Sequence, residues 1–232
     1  CAITGWRRCS AGPPPAPSCA ATARVLQTAA ELPRGPDATS GVGDYWMSNG
    51  VVRIVVDAIS NRNIGAPTGG TIIDLSREGA DDAFNQIGQL IGMQQQTPAA
   101  YDTLTLVDPG PARAAIEVSG YVFSSDAAAL DPAIGDSLSV VTRYELRPCE
   151  PFVRVSTTLT NPLPMDVSIG LGPMIHDVFL WLWRGPQPFC PAPGQGLSCL
   201  EFDIANPFAS VGSFDYVAAR TIAPPWQSWA VV

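Results

Sequence analysis

The sequence is poor in the residues that carry most polar chemistry in proteins. It contains no lysine, a single histidine (His176), and only 15% charged residues among 232 positions. All 13 basic residues are arginine, they are scattered, and the formal net charge is −8. Nucleic-acid binding requires clustered cations that neutralise phosphates, so this charge distribution argues against a nucleic-acid partner.

Signatures of metal, cofactor and nucleophile sites are also missing. The sequence contains no Cys-x-x-Cys pair, and one histidine does not complete a zinc site. It has no Gly-x-Ser-x-Gly, no glycine-rich phosphate loop and no Cys-His nucleophile arrangement. Asp126, Asp131 and Asp136 are spaced by five residues, unlike the alternate spacing of compact calcium loops. We therefore expect no metal and no cofactor.

Membrane-spanning segments are not predicted either, because no run of 18 or more apolar residues occurs. What the chain has instead is 46% hydrophobic residues, which from residue 43 onward alternate with polar ones. The alternation is clearest in the stretches GVVRIVVDA, ARAAIEVSGYVF, LSVVTRYELR and FVRVSTTLT. Such a period of two is typical of half-buried antiparallel strands.

The spacing between these stretches favours a meander. The short turn PCEP separates the strand ending at Arg147 from the strand starting at Phe152. The short turn NPLP separates that second strand from DVSIGL. One helix is predicted over DDAFNQIGQLIGM, where Phe84, Ile87 and Ile91 recur at helical spacing. The sequence thus predicts an all-β, antiparallel β-sandwich over residues 43–232, with at most one or two short helices. The terminal QSWAVV resembles an interrupted strand, so we expect this domain to be truncated at its C-terminus.

The first 42 residues differ in composition and are predicted to form a tether. They are rich in Pro, Ala and Gly, and AATARVLQTAAEL is long enough for one or two helical turns. Cys1, followed by Ala2, resembles the lipidated cysteine of a mature bacterial lipoprotein. The alternatives are the start of a fragment and a disulfide cysteine.

Six cysteines in an acidic chain indicate an oxidising compartment. Two Pro- and Gly-rich loops are bracketed by cysteines and favour local disulfides, one between Cys9 and Cys19 and one between Cys190 and Cys199. Cys1 and Cys149 then remain. If Cys1 is lipidated, Cys149 is a free thiol, and if it is not, Cys1 and Cys149 are candidates to pair with each other.

Beyond periodicity, particular stretches carry a family resemblance. RYELRPCEPFVRVSTTLTNPLPMDVSIGLGPMIHD resembles the middle strands of the galactose-mutarotase-like β-supersandwich, and DYWMSNGVVRIVVDA followed by GGTIIDL resembles its opening. The same stretches are similar to an N-terminal module of large secreted or lipid-anchored bacterial proteins, some of which carry a downstream metallohydrolase of the polymerase-and-histidinol-phosphatase type. The resemblance covers roughly residues 43–180 and contains no catalytic signature.

The resemblance implies catalytic roles that this chain matches only at one position. Aldose epimerases of that architecture use two histidines and a glutamate base, and His176 corresponds to the first histidine. Asp177 and Val178 stand where a proline and an aromatic residue are expected, and there is no second histidine. Glu201 is the one glutamate beyond Glu150, and it has no clear counterpart. An epimerase needs an acid and a base on opposite sides of the bond being changed, so no catalytic residue is assigned and His176 is only a weak candidate.

A ligand-binding surface is a second hypothesis for this region. His176 and Asp177 are candidate ligands for a sugar hydroxyl, and Trp181 and Trp183 are candidates for stacking on a carbohydrate. The competing interpretations are a strand-end histidine held by a hydrogen bond, and tryptophans packed in a core or against an adjoining domain.

Together these observations predict a non-catalytic module of an exported bacterial surface protein, acting in binding or as a scaffold for adjoining domains. The expected location is the cell surface or periplasm as a lipoprotein, or the medium as a secreted protein, with membrane contact only through a lipid on Cys1. The alternative is a carbohydrate-binding or aldose-epimerase-like protein that uses His176.

Overall fold

The structure is a computed structural model that describes residues 19–35, 38–61, 66–82, 86–91, 99–122, 138–164, 166, 171–176, 180–184, 217–221 and 228–231. The strands from residue 171 onward are described by their backbone pairing. Thirteen strands lie in this part of the chain: β1 Thr22–Val25, β2 Tyr45–Ser48, β3 Val52–Val56, β4 Ile72–Arg77, β5 Gln86–Ile91, β6 Ala99–Pro109, β7 Ala114–Val122, β8 Ser139–Leu146, β9 Arg154–Thr160, β10 Leu171–His176, β11 Leu180–Arg184, β12 Val217–Thr221 and β13 Ser228–Val231. A single 3-10 turn, Ala29–Glu31, is the one helical element of the described residues.

The strands form antiparallel sheets with simple neighbour relations. A six-stranded sheet has the order β1-β2-β3-β4-β5-β10, and a four-stranded sheet has the order β6-β7-β8-β9. Strands β11, β12 and β13 form a separate three-stranded antiparallel sheet. The predicted neighbours β8 and β9 are confirmed by seven register pairs, from Ser139 with Thr160 to Glu145 with Arg154.

The two larger sheets share one apolar core, as expected for a sandwich. The alternation in each strand turns one set of residues inward, and these inward residues are almost completely buried. From the six-stranded sheet they include Met47, Ile54 and Ile72, and from the four-stranded sheet Ile116 and Val140. The prediction of an all-β sandwich is confirmed.

The helix predicted over DDAFNQIGQLIGM is wrong for the residues that the structure describes. Residues 86–91 form strand β5, which pairs with β10 along six residues and with β4 through Ile72 and Ile87. A glycine in this segment, Gly88, lowers the local helix preference, and ladder pairing on both sides then decides the conformation. Phe84 lies outside the described residues.

The tether predicted for residues 1–42 is also corrected for its second half. Strand β1 adds to the edge of the six-stranded sheet, and Ala21, Ala23 and Leu26 are buried. The following turn is held by Glu31, whose carboxylate accepts the backbone N–H groups of Gln27 at 2.8 Å and Thr28 at 2.9 Å. A four-residue strand is too short to show a clear period, which explains the missed boundary. Residues 1–18 lie outside the described part.

The second predicted meander connection falls largely outside the described residues, because residues 167–170 of DVSIGL are not among them. After β9 and the NPLP turn, the next described strand, β10, crosses to the six-stranded sheet and pairs with β5. The pairing of DVSIGL with β9 therefore stays a prediction.

Candidate functional site

Four aspartates of the six-stranded sheet and its loops are almost fully buried: Asp44, Asp57, Asp74 and Asp82. We call these the buried carboxylates. Buried carboxylates require hydrogen-bond donors, and they often mark functional sites because their pKa values are shifted. They are therefore the first candidates for chemistry in this part of the molecule.

Asp57 follows the end of β3 and faces the start of β4. Its Oδ1 accepts the backbone N–H of Thr71 at 2.7 Å and the Thr71 hydroxyl at 3.2 Å. Burial raises the pKa of Asp57 to about 7, the charge of Asp44 acts in the same direction, and the hydrogen bonds from Thr71 oppose both. Such a pKa suits proton transfer near neutral pH, but the residue has no exposed surface.

Asp44 closes the loop that leads into β2. One oxygen, Oδ1, accepts the backbone N–H of Ala58 at 2.8 Å and the side-chain amide of Asn61 at 2.9 Å. The other oxygen accepts the N–H of Gly41 at 2.6 Å. The carboxylate thus fastens two loops to the same end of the sheet.

Asp74 and Asp82 hold loops in a similar way. The two oxygens of Asp74 accept the N–H groups of Thr39 at 2.9 Å and Ser40 at 3.2 Å, and burial raises the pKa of Asp74 despite these bonds. Asp82 accepts the N–H of Leu75 at 2.8 Å. On the outer face of the same sheet, Leu26 and Leu32 pack with Val55 and Ile73.

A polar network connects Asp57 to the interior of the sandwich. The Gln86 side-chain amide donates to the Thr71 hydroxyl at 3.1 Å, and that hydroxyl donates to Asp57. From the opposite sheet, the Tyr144 hydroxyl donates to the carbonyl of Gly70 at 2.8 Å. This last bond ties the four-stranded sheet to the loop that precedes β4.

Close backbone approach at Gly69 and Gly70 makes the network compact. A Cβ atom on Gly69 would lie 1.8 Å from the Ala58 carbonyl oxygen. Gly70 has a φ of +90°, and a Cβ there would lie 2.8 Å from the ring of Tyr101. Only glycine fits both positions without a shift of the neighbouring chain.

The two core tyrosines are held protonated. Burial raises the pKa of Tyr101 to about 12 and raises the pKa of Tyr144 well above its usual range. The Tyr101 hydroxyl shares a hydrogen bond of 2.7 Å with Thr142, which also contacts the hydroxyl of Thr157 at 3.0 Å. These groups are hydrogen-bonding members of the core and do not ionise at neutral pH.

The opposite end of the sandwich is fastened around Asn49, in the turn between β2 and β3. Its Nδ2 donates to the carbonyls of Arg147 and Glu150, each at 2.7 Å. Its Oδ1 accepts the N–H groups of Val51 at 3.1 Å and Val52 at 2.9 Å. One buried side chain therefore joins the β2–β3 turn to the β8–β9 turn.

A disulfide between Cys19 and Cys149 lies at this same end, with a Cα–Cα distance of 5.0 Å. The predicted pairing of Cys19 with Cys9 is wrong, and so are the expectations that Cys149 is free or paired with Cys1. The chain approaches this end because Ala21 donates its N–H to the carbonyl of Pro111 at 3.0 Å. A bridge across 130 residues of sequence leaves no local spacing signal. Cys1, Cys9, Cys190 and Cys199 lie outside the described residues.

The candidate ligand residues are placed in two different sheets. His176 ends β10 and is the register partner of Gln86 in β5, whose side chain belongs to the polar network. Trp181 and Trp183 lie in β11 of the three-stranded sheet, opposite Arg220 and Ala218 of β12. Asp177 lies outside the described residues, and the proposed sugar-binding roles of all four residues stay predictions.

Sequence reasoning missed the buried carboxylates and Asn49. Signals for them were present: Asp57 follows an apolar strand, Asp74 ends the stretch GGTIID, and Asn49-Gly50 is a turn dipeptide. What the periodicity does not show is burial of a polar group, since the partners are backbone atoms from distant loops.

In the described residues, the side chains of Asp44, Asn49 and Asp74 form their hydrogen bonds mainly with backbone groups of loops and turns. In the part of the chain that the structure describes, no three His, Cys, Asp or Glu side chains are grouped to bind a metal ion. No helix within the same residues has the length and apolar character to cross a bilayer. Comparison of the sequence with protein-family models and with curated proteins finds no match.

Proposed function

We propose that this chain is a non-catalytic β-sandwich module of an exported bacterial surface protein, serving in binding or as a scaffold for adjoining domains. The observation that carries the proposal is the use of the polar residues in the stretches that resemble the supersandwich family. Asp44, Asn49 and Asp74 come from those stretches, and each binds backbone groups of this chain. Their described oxygens and amide are committed to architecture.

Two further features support an exported module. The Cys19–Cys149 bridge joins the segment before β1 to the β8–β9 turn, and disulfides of this kind persist in oxidising compartments. A lysine-free surface with a net charge of −8 is compatible with either a tethered or a secreted protein. Lipidation of Cys1 would supply the tether and is part of the proposal.

The test combines compartment and activity. The chain is expressed in a bacterial host with and without an export signal, and the Cys19–Cys149 linkage is quantified by non-reducing peptide mapping. We expect the bridge in nearly all exported molecules and in few cytoplasmic ones. An exported protein that stays reduced and is equally stable would contradict the assignment to an oxidising compartment.

The second candidate is a carbohydrate-binding or aldose-epimerase-like protein that uses His176. It is favoured by one observation: the sole histidine is the register partner of Gln86, and the Gln86 amide leads through Thr71 to Asp57. Asp57 has a pKa of about 7, in the range of a general base. The full burial of Asp57 weighs against this role, because a substrate does not reach a covered carboxylate.

Mutarotation assays decide between the two candidates. The rate of optical rotation change for a panel of common aldoses is measured with wild-type protein, His176→Ala and Asp57→Asn. The non-catalytic proposal expects the buffer rate in all three samples. Acceleration by the wild type that is lost in His176→Ala would establish the epimerase-like function and replace the first proposal.

A further inference from the structure

Strand β9 forms an edge of the four-stranded sheet. Among the described strands it pairs with β8 alone, and its seven register pairs run without a bulge. An edge strand offers the outward N–H and C=O groups of every second residue to another strand. Natural edges are commonly protected by proline, charged side chains or bulges, and Arg154–Thr160 contains none of these beyond Arg154 at its first position.

The inward face of β9 is also less covered than its neighbour. Val155, Thr157 and Leu159 are register partners of the fully buried Tyr144, Thr142 and Val140, so the two sets lie on the same face of the sheet. Yet Val155 is 38% exposed, and the strand as a whole is exposed or half-buried. A further strand beside β9 would continue the sheet, and its side chains would pack as cross-strand neighbours against the exposed ones of β9.

The sequence of β9 is complementary to itself in the antiparallel direction. With a two-fold axis at Thr157, Val155 meets Leu159 of a second copy on the inward face, and Ser156 meets Thr158 on the outward face. Apolar residues thus pair with apolar ones and hydroxyls with hydroxyls. Isologous contacts of this type require the same patch to complement itself.

Charge does not oppose this pairing. The only charged residue of the strand, Arg154, is bound by the carboxylate of Glu150 through contacts of 3.0 Å and 2.9 Å. In the two-fold register Arg154 would lie opposite Thr160, and the two copies of Arg154 would be at opposite ends of the paired strands. No like charges face each other in the ladder.

We propose that β9 is a homodimerisation edge, at which two copies of this chain join their four-stranded sheets into one eight-stranded antiparallel sheet with a two-fold axis at Thr157. The contact is small, because one pair of seven-residue strands buries less surface than a standard stable interface. The dimer is therefore a weak one, with a dissociation constant in the high micromolar range. This inference does not rest on the proposed function.

Sedimentation equilibrium of the whole chain over roughly 10 µM to 1 mM tests the proposal directly. Two double variants then test the register. Ser156→Glu with Thr158→Lys places the glutamate of each copy opposite the lysine of the other, which gives two opposite-charge pairs. This variant should lower the dissociation constant of the dimer by about twofold to thirtyfold. Ser156→Lys with Thr158→Lys places like charges there and should weaken it by a similar factor.

A matched control uses the other edge of the same sheet. Thr105→Lys with Val107→Lys adds the same two positive charges on exposed positions of β6, and like the double-lysine β9 variant it takes the net charge from −8 to −6. Because it lowers general repulsion between copies, it should leave the dimer unchanged or slightly tighter. Circular dichroism confirms that each variant is folded.

The outcomes separate clearly. Dimerisation of the wild type, with opposite responses of the two β9 variants and no loss in the β6 control, supports the two-fold register. A wild type that stays monomeric to about 1 mM overturns it and leaves the edge to a strand of another protein. A dimer that ignores both β9 variants overturns it as well, since the contact then lies elsewhere.

Discussion

Replacing Asp57 with asparagine isolates the effect of one buried carboxylate on stability. The substitution keeps the size of the side chain and keeps an oxygen to accept the backbone N–H of Thr71. In the wild type the Thr71 nitrogen lies 2.7 Å from Oδ1 of Asp57. It removes the ionisable group that burial disfavours in its charged form. The pH dependence of folding should therefore change more than the fold itself.

The sign follows from the direction of the pKa shift. Asp57 titrates at about 7 in the folded protein, against 3.8 for the free side chain. Between these values the folded state holds a proton that the unfolded state releases, so the free energy of unfolding falls as pH rises through this window. The difference between these two pKa values corresponds to roughly 4 kcal/mol in the free energy of unfolding, fully lost above about pH 7.

Urea unfolding followed by tryptophan fluorescence, at intervals from about pH 4 to pH 8, measures this effect. The difference between Asp57→Asn and wild type should move by roughly 4 kcal/mol in favour of the variant across the series. Asp108→Asn is the control: the N–H of Gly110 lowers the pKa of Asp108, so this carboxyl is ionised in both the folded and the unfolded protein over most of the series, and its difference from wild type should stay nearly flat. A flat difference for Asp57→Asn refutes the reasoning.

Three other variants test the ties at the two ends of the sandwich. Cys19→Ser with Cys149→Ser should lower the free energy of unfolding by about 2–4 kcal/mol in oxidising buffer and match reduced wild type, and identical unfolding curves with and without reductant would contradict this. Asn49→Ala should cost about 1–3 kcal/mol in urea unfolding, since two partly buried carbonyls of the β8–β9 turn lose a donor. Gly70→Ala should lower the melting temperature more than Gly43→Ala: both glycines have positive φ, but only Gly70 has a ring against the added carbon. Equal losses would exclude the steric argument.

Strand periodicity was sufficient for the architecture because each sheet buries one face. In β8, residues 140, 142, 144 and 146 are the buried set, and the sequence shows that alternation directly. The same reasoning failed for β5, where local spacing suggested a helix and pairing with β10 decided otherwise. It failed for β1 because four residues are too few to establish a period.

The polar ties were harder to predict because their partners are backbone groups brought close only by the fold. Asp44 lies 14 residues from Ala58, and Asn49 lies 98 residues from Arg147. A carboxylate or an amide in a turn is usually solvated, and the sequence does not distinguish that state from burial with several donors. His176 illustrates the reverse case: its rarity drew attention, but the structure establishes only its position opposite Gln86.

The Cys19–Cys149 bridge sets how this chain would carry mechanical load. Tension applied between residues before Cys19 and residues after Cys149 passes through the sulfur atoms directly into the β8–β9 turn, bypassing the strands from β1 to β8. The chain between the cysteines, whose sequence separation is 130, then contributes nothing to the extension, and roughly 450 Å of contour length is withheld at about 3.5 Å per residue. Reduction would release that length. While the bridge is intact, most of the sandwich therefore lies outside the covalent path that carries the applied force.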